Sequence, residues 1–232
     1  MRPSISIIIP AYNEEHRIGE TLQALHRMKT EVDPQAWTEM IVIDDGSNDR
    51  TSQVADRWCD LLIRYGKNQG KGAALMEGFL RSSGDIIVFL DADLGESAVH
   101  AVHLIRPVMD GLADMTIAKF PPARRKGGFG LVKKLASGGI YRLCGFKSAA
   151  PLSGQRAIRK AVLERIGGLS SGFGIEVGLT IDAARSGFRI VEIEVPFKHR
   201  ESGRDWSGFY HRGKQFLAVG RALLEKWRQR AT

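Results

Sequence analysis

Cysteine is scarce in this chain: two, Cys59 and Cys144, stand far apart among 232 residues with no metal-ligand spacing. That argues against a disulfide framework or a cysteine zinc site and reads as reduced, buried thiols in a cytoplasmic protein. Long apolar runs are missing too. No stretch approaches the roughly 20 residues that cross a bilayer. The apolar Ile5–Ile9 ends at Pro10 and has no small-residue cleavage site, so neither a signal peptide nor a spanning helix is expected. Acid is absent from Met115 to Leu163, where 11 basic residues fall. The net charge of +8 is therefore uneven: residues 1–114 carry −7 and residues 115–232 carry +15. The second half should meet something anionic, be it a phosphorylated small molecule, a lipid phosphate, a membrane surface or nucleic acid, unless it is only a solvated basic face. Nucleic acid is the weakest of these, because no helix-turn-helix, zinc or aromatic-basic strand signature accompanies the charge. Repeats, low-complexity segments and linkers are also lacking, which points to one continuous domain.

What is present in the first half alternates. Ile5–Ile9, Met40–Ile43, Leu61–Tyr65 and Asp85–Leu90 read as strands. Glu14–Met28, Asp49–Trp58 and Gly72–Ser82 read as helices between them. Helices between buried apolar strands indicate a mostly parallel sheet flanked by helices. In such sheets ligands gather beyond the carboxyl ends of the strands. Further on, Ala113–Lys119 and Arg189–Val195 read as strands. Leu131–Leu143, Ala157–Ile166, Ile175–Ser186 and Lys214–Arg230 read as helices, with Gly/Ser-rich or basic loops between.

Polar clusters stand at the strand ends. Asp91-Ala92-Asp93 closes the fourth strand, and in extended geometry its two carboxylates would face the same way. Such a pair needs a cation between them, and Mg²⁺ or Mn²⁺ suits a few carboxylates plus phosphate oxygens. Asp44 and Asp45 end the second strand. They offer a carboxylate for a base N–H, while Ser47 or Asn48 caps the following helix. Pro10 to Glu15 ends the first strand, with acids suited to ribose hydroxyls or to a helix's first turn. Asn68-Gln69-Gly70-Lys71-Gly72 places a lysine between glycines at a helix start, which suits a phosphate.

Together, Ser6 to Glu15, Ile41 to Asp49, Asn68 to Gly72 and Phe89 to Asp93 resemble glycosyltransferase family 2, in order and spacing across residues 5–95. The resemblance implies the GT-A fold, with a nucleotide-sugar-binding half over 1–114 and a smaller acceptor-binding half over 115–232. It implies that Pro10, Ala11, Asn13, Glu14 and Asp45 line the nucleoside pocket. Lys71 and Asp91 would then help hold the donor, and Asp91 and Asp93 would hold the metal.

Two subgroups share the second half. Pro151 to Ala157 and Gly172 to Leu179 resemble glucosyl-3-phosphoglycerate synthases, a likeness that implies His199 as third metal ligand and an acceptor site at Gly127, Gly128, Ser153 and Gly154. The Arg and Thr that follow the acceptor-loop glycine in that group are missing from Gly127 to Val132. The same stretch also resembles polyprenyl-phosphate sugar transferases, where Arg124, Arg125 and Lys126, with Lys133 and Lys134, would grip a phosphate. Glu176 reads as a general base, an orienting acid or a helix-start acid. The resemblance thus implies a metal-dependent hexosyltransferase acting from UDP-glucose or GDP-mannose onto 3-phosphoglycerate or a polyprenyl phosphate. It would be free in the cytoplasm or peripheral at the inner face of the membrane.

Residues 198–213, with His199, Arg200, Arg204, Trp206 and His211, have lid-like composition. The final helix aligns Phe216, Val219, Leu223 and Trp227 in a stripe for the domain, a second subunit in a homodimer, or a membrane surface.

Overall fold

β-Branched residues favour extended backbone, and the run from Ile5 becomes the middle of the sheet. The computed structural model describes residues 2–32, 37–121, 130–169, 174–198 and 206–229. Strand β1 (Ile5–Ala11) pairs in parallel with β2 (Glu39–Asp44) on one side and β4 (Ile86–Phe89) on the other, and β2 pairs in parallel with β3 (Leu61–Arg64). All of β1 but Pro10 is buried. Pro10 lies past the last β1–β4 register pair, Ile8 with Phe89, so its missing N–H breaks no ladder bond there. Beyond β4 the sheet continues through β6 (Arg156–Arg159), β5 (Met115–Lys119) and β7 (Ile190–Glu194), giving the order β3-β2-β1-β4-β6-β5-β7. Only β6 runs antiparallel to its neighbours. The mostly parallel, helix-flanked α/β sheet expected from the alternation is what forms.

Alternation along the strands splits the core in two. Ile7, Ile9, Val42, Val88 and Ala157 face one layer, under α1 (Ile18–Arg27), α2 (Thr51–Ala55), a 3₁₀ stretch (Gly95–Ala101) and α4 (Val102–Met109). Ile8, Ile43, Phe89, Ile117 and Ile158 face the other, under α3 (Lys71–Arg81), α6 (Lys160–Arg165) and α7 (Ile175–Arg185). A third cluster joins α5 (Leu131–Cys144), α7 and α8 (Trp206–Arg228) through Ile140, Leu143, Ile181 and Val219. A Cβ on Gly139 would meet Leu223 Cδ1 at 2.4 Å, so a larger residue there would require the Leu223 side chain to move.

Several expectations need correction. Glu14 precedes its helix, which starts at Ile18 after a turn in which the Arg17 and Ile18 amides bond Glu14 O. Ala157–Ile166 is not one helix. Its first residues complete β6, because burial between β4 and β5 outweighs a local helical pattern, and α6 begins only at Lys160. Neither Ser47 nor Asn48 caps α2; Asp49 Oδ1 takes the Thr51 amide at 2.9 Å instead. The stretch 206–213 is no lid loop, being the opening of the 23-residue α8, while 199–205 lies outside the described residues. Within the α8 stripe only Val219 and Leu223 pack inward; Phe216 and Trp227 are exposed.

Asp114, at the head of β5, ties three strands together. It accepts the Arg189 amide at 2.9 Å and the Arg189 guanidinium at 3.1 Å, with Arg159 at 3.3 Å. The bonds from Arg189 hold its carboxyl at about 2, against the opposing pull of burial. A carboxyl lowered on folding stabilises above its ordinary value near 3.8 and loses that contribution as pH falls through the folded value. In urea titrations, Asp114→Asn should therefore be clearly less stable than wild type at pH 6. The gap should narrow between pH 4 and pH 2; a gap independent of pH would contradict the assignment.

Candidate active site

The loops that leave β1 and β2 are clasped to each other. The Asn13 amide donates to Ser47 Oγ at 2.9 Å, the Asn48 amide to Asn13 Oδ1 at 3.0 Å, and the Glu14 amide to Thr51 Oγ1 at 2.8 Å. Asn13 takes φ +55, a left-handed conformation that asparagine tolerates better than most residues. Asp44 is fully buried and structural, accepting from the Ser47 amide and the Ser52 hydroxyl. Asp45 is 3% exposed, and its two oxygens take the Gln69 amide at 2.7 Å and the Gly70 amide at 2.8 Å. This expected base-binding acid thus fastens the Asn68–Gly70 loop to the end of β2. Pro10, Ala11, Asn13, Glu14 and Asp45 all stand at the carboxyl ends of β1 and β2, joined to the lysine-bearing loop through Asp45.

That loop delivers Lys71 to the first turn of α3. Its Nζ lies 2.6 Å from Asp91 Oδ1 and 3.7 Å from Glu176 Oε1. Burial alone would lower the ammonium's pKa. The two carboxylates outweigh it and hold the pKa above the ordinary lysine value, so Lys71 stays charged. The other Asp91 oxygen accepts from the Gln155 amide nitrogen. Gly154 makes the cluster sterically possible: a Cβ there would sit 2.4 Å from Lys71 Nζ.

Asp91 and Asp93 do not lie side by side along a strand, since β4 ends at Phe89 and 92–93 form a turn. Ala92 anchors that turn: it is 4% exposed, and its carbonyl accepts from Thr21 Oγ1 at 2.8 Å. The flanking acids are left partly exposed. Among the described residues no three metal-ligating side chains converge. Two acids at a turn beside an open cleft still fit Mg²⁺ or Mn²⁺, which complete their shells with water and phosphate oxygens rather than an all-protein cage. Just after this turn the chain meets Lys198, whose amide donates to Ser97 Oγ at 2.9 Å while that hydroxyl bonds Leu94 O at 2.6 Å. His199, the expected third ligand, lies outside the described residues.

A cleft of about 830 Å³ gathers Asn68–Lys71, Asp91, Ser153, Gly154, Gln155 and Glu176. The rest of its wall includes Lys119, Phe120, Pro121, Lys133, Leu152, Ile175 and Val219. Lys71, Asp91, Glu176, Ser153 and Gly154, five of the residues expected from sequence, thus come together, with Asp93 two residues beyond in the turn. Arg124, Arg125, Lys126, Gly127 and Gly128 lie outside the described residues. Two residues with no expected role prove central: Gln155 on Asp91, and Arg156 below it. Arg156 is 1% exposed, and burial draws its guanidinium down to about 10 against the attraction of Glu176 and Glu192. Gln155 and Arg156 both lie inside the Pro151 to Ala157 resemblance motif, which marks the segment without giving either residue a partner.

Comparison with known proteins agrees with this geometry. The model of glycosyl transferase family 2 matches residues 6–167. A crystal structure of glucosyl-3-phosphoglycerate synthase from Mycobacterium tuberculosis, in complex with Mn²⁺, UDP and phosphoglyceric acid, superposes with TM-score 0.78 at 25% identity, covering 97% of this chain and 78% of that one. Dolichol-phosphate mannosyltransferase of Pyrococcus furiosus is 28% identical over 86% of this chain and 58% of its own length. Human dolichyl-phosphate beta-glucosyltransferase is 39% identical over 38% of this chain and 31% of its own. The chain spans 56% and 37% of two further curated relatives, named "Probable glycosyltransferase YdaM" of Bacillus subtilis and "Glycosyltransferase AglD" of Haloferax volcanii. No helix among the described residues is long and apolar enough to cross a membrane. With the sheet order, the clasped strand-end loops and a family match over most of the sequence in agreement, the chain belongs to glycosyltransferase family 2 and has its GT-A fold.

Proposed function

We propose that the chain moves a hexose from a nucleotide-diphosphate sugar, UDP-glucose or GDP-mannose, to a small phosphorylated acceptor such as 3-phosphoglycerate. The observation that carries this is the Lys71–Asp91–Glu176 cluster at the edge of the 830 Å³ cleft. Asp91 and Asp93, with His199 as the resemblance implies, would hold Mg²⁺ or Mn²⁺. When bound, the metal supplies charge neutralisation for a diphosphate leaving group. Lys71 adds a fixed positive charge beside it, kept protonated by its two carboxylates. Pro10, Ala11, Asn13 and Glu14 bind the nucleoside, with Asp45 fixing the loop between nucleoside and diphosphate. Ser153 and Gly154 face the acceptor, with Arg124 to Gly128 supplying cations and backbone amides. Glu176 orients the acceptor hydroxyl or takes its proton.

A second reading has its own observation. One wall of the cleft is apolar, made of Phe120, Pro121, Leu152, Ile175 and Val219, with Leu217, Leu224 and Trp227 exposed further along α8. That wall fits a polyprenyl phosphate taken at a membrane surface, where Lys119 and Lys133 would face its phosphate.

Thermal unfolding with UDP-glucose, GDP-mannose and their free nucleotides, each with Mn²⁺ or EDTA, tests the donor. A matching nucleotide at about 100 times its Kd should raise Tm by about 5–10 °C, and only with metal. No shift with any of them would sink the reading. Incubating the matching donor with 3-phosphoglycerate, or with a polyprenyl phosphate in anionic liposomes, then decides between the acceptors.

A further inference from the structure

Arg156 lies in the face of the sheet, its Cα opposite Phe89 and Ile117 in the ladders. Among the described residues no carboxylate pairs with it. Its fork instead reaches three oxygens: Nε donates to Ser153 O at 3.0 Å, Nη1 to Thr180 Oγ1 at 2.9 Å, and Nη2 to Glu176 O at 3.0 Å. Thr180 Oγ1 also donates to Glu176 O at 2.7 Å. One guanidinium thus ties the 151–155 loop to the first turn of α7. Burying an unpaired guanidinium is unfavourable, and an apolar residue would suit a site beside Phe89 and Ile117 better. The gain is geometric, because a rigid planar fork can hold two elements at a fixed spacing where a lysine, a single point donor, cannot.

We propose that Arg156 is a positioning residue that locks the 151–155 loop to the start of α7 and so sets where Glu176 stands against Lys71. Its neighbour Gln155 fixes Asp91, so two consecutive residues place the acids on the donor and acceptor sides of the cleft. This rests on the reading that the cleft at Ser153 and Gly154 receives the acceptor.

Two variants test it. Arg156→Lys keeps the charge and loses the fork. Thr180→Val leaves Arg156 intact and removes one acceptor, so it decides the matter if the lysine variant fails to fold. Amide hydrogen exchange should rise in 149–155 and 174–178 but not in 8–14 or 68–71. Uniform change, or none, would overturn the proposal whatever the acceptor is. With 3-phosphoglycerate or polyprenyl phosphate, whichever wild type uses, kcat should fall about 10- to 100-fold for Arg156→Lys, the scale of a misplaced reacting group. Acceptor KM should rise several-fold, while UDP affinity in Mn²⁺ stays within twofold. A parallel loss of UDP affinity would mean general damage, and unchanged kinetics would overturn the role. Should wild type use neither acceptor, the acceptor reading fails, and the exchange pattern still judges the coupling.

Discussion

Asp91→Asn is expected to slow sugar transfer by about 1,000-fold, the scale of losing one preorganised electrostatic contact to a developing charge, or about 4 kcal/mol. The carboxylate sits between Lys71 Nζ and the Gln155 amide, both of which donate to it. An asparagine has one acceptor oxygen, so its amide nitrogen must face one of these donors. Glu176, at 3.7 Å, would then be the carboxylate left to Lys71 in this cluster. The proposed metal would lose half of the Asp91–Asp93 pair. The effect on folding should be smaller, because Lys71 is 35% exposed and water can solvate it. Calorimetry of Mn²⁺ with UDP should show binding weakened at least tenfold, while thermal unfolding without ligands shifts little. Transfer within tenfold of wild type would remove Asp91 from the centre of the site.

Asp91 was legible because local signals agreed. An apolar strand, an acid pair after it and three further motifs near strand ends all lie within residues 5–95, where the strands are parallel and β1, β2 and β4 are almost wholly buried. The second half obeys other rules. Arg156-Ala157-Ile158-Arg159 carries two arginines and one β-branched residue, a poor strand by propensity. It becomes one because β4 and β5 leave a slot between them that only tertiary structure reveals. The roles of Gln155 and Arg156 were hidden for the same reason: their partners, Asp91 and Glu176, lie 64 and 20 residues away. The 3₁₀ stretch and α4 carry Gly95 and Pro107, residue types that ordinarily interrupt helices, and no element is expected there from sequence. Asp45 shows the limit of motif reading at its best. The motif put it at the site, and the fold gave it a backbone-pinning task that the motif does not encode.

Gly46→Ala carries the largest expected stability effect, and it follows from that task. Gly46 has φ +77, and a Cβ there would lie 2.5 Å from the Lys67 carbonyl carbon, 2.7 Å from Asn68 N and 2.8 Å from Lys67 Cα. All three are backbone atoms, so no side-chain rotation relieves the clash. The loop cannot simply retreat either, because Asp45 holds the Gln69 and Gly70 amides at 2.7 and 2.8 Å. Left-handed strain of about 1–2 kcal/mol and overpacking of about 1–3 kcal/mol should add roughly, since the first is local to the backbone of residue 46 and the second is a clash with Lys67 and Asn68. The loss of about 3 kcal/mol should lower Tm by about 6–12 °C for a chain of this length. Gly66, just before the same loop, has nothing within 4 Å of its Cβ position, so Gly66→Ala should change stability by less than about 0.5 kcal/mol. The pair separates contact from composition, since both add one methyl to one stretch of backbone. If Gly46→Ala melts with wild type, the β2 loop is not packed against Lys67 and Asn68. If it melts early but, well below its Tm, still binds the donor nucleotide with wild-type affinity, then the spacing between the Asp45 turn and Lys71 does not govern the donor site. The expected outcome is that both fall together, because the contact that Gly46 permits is the one that delivers Lys71 to Asp91.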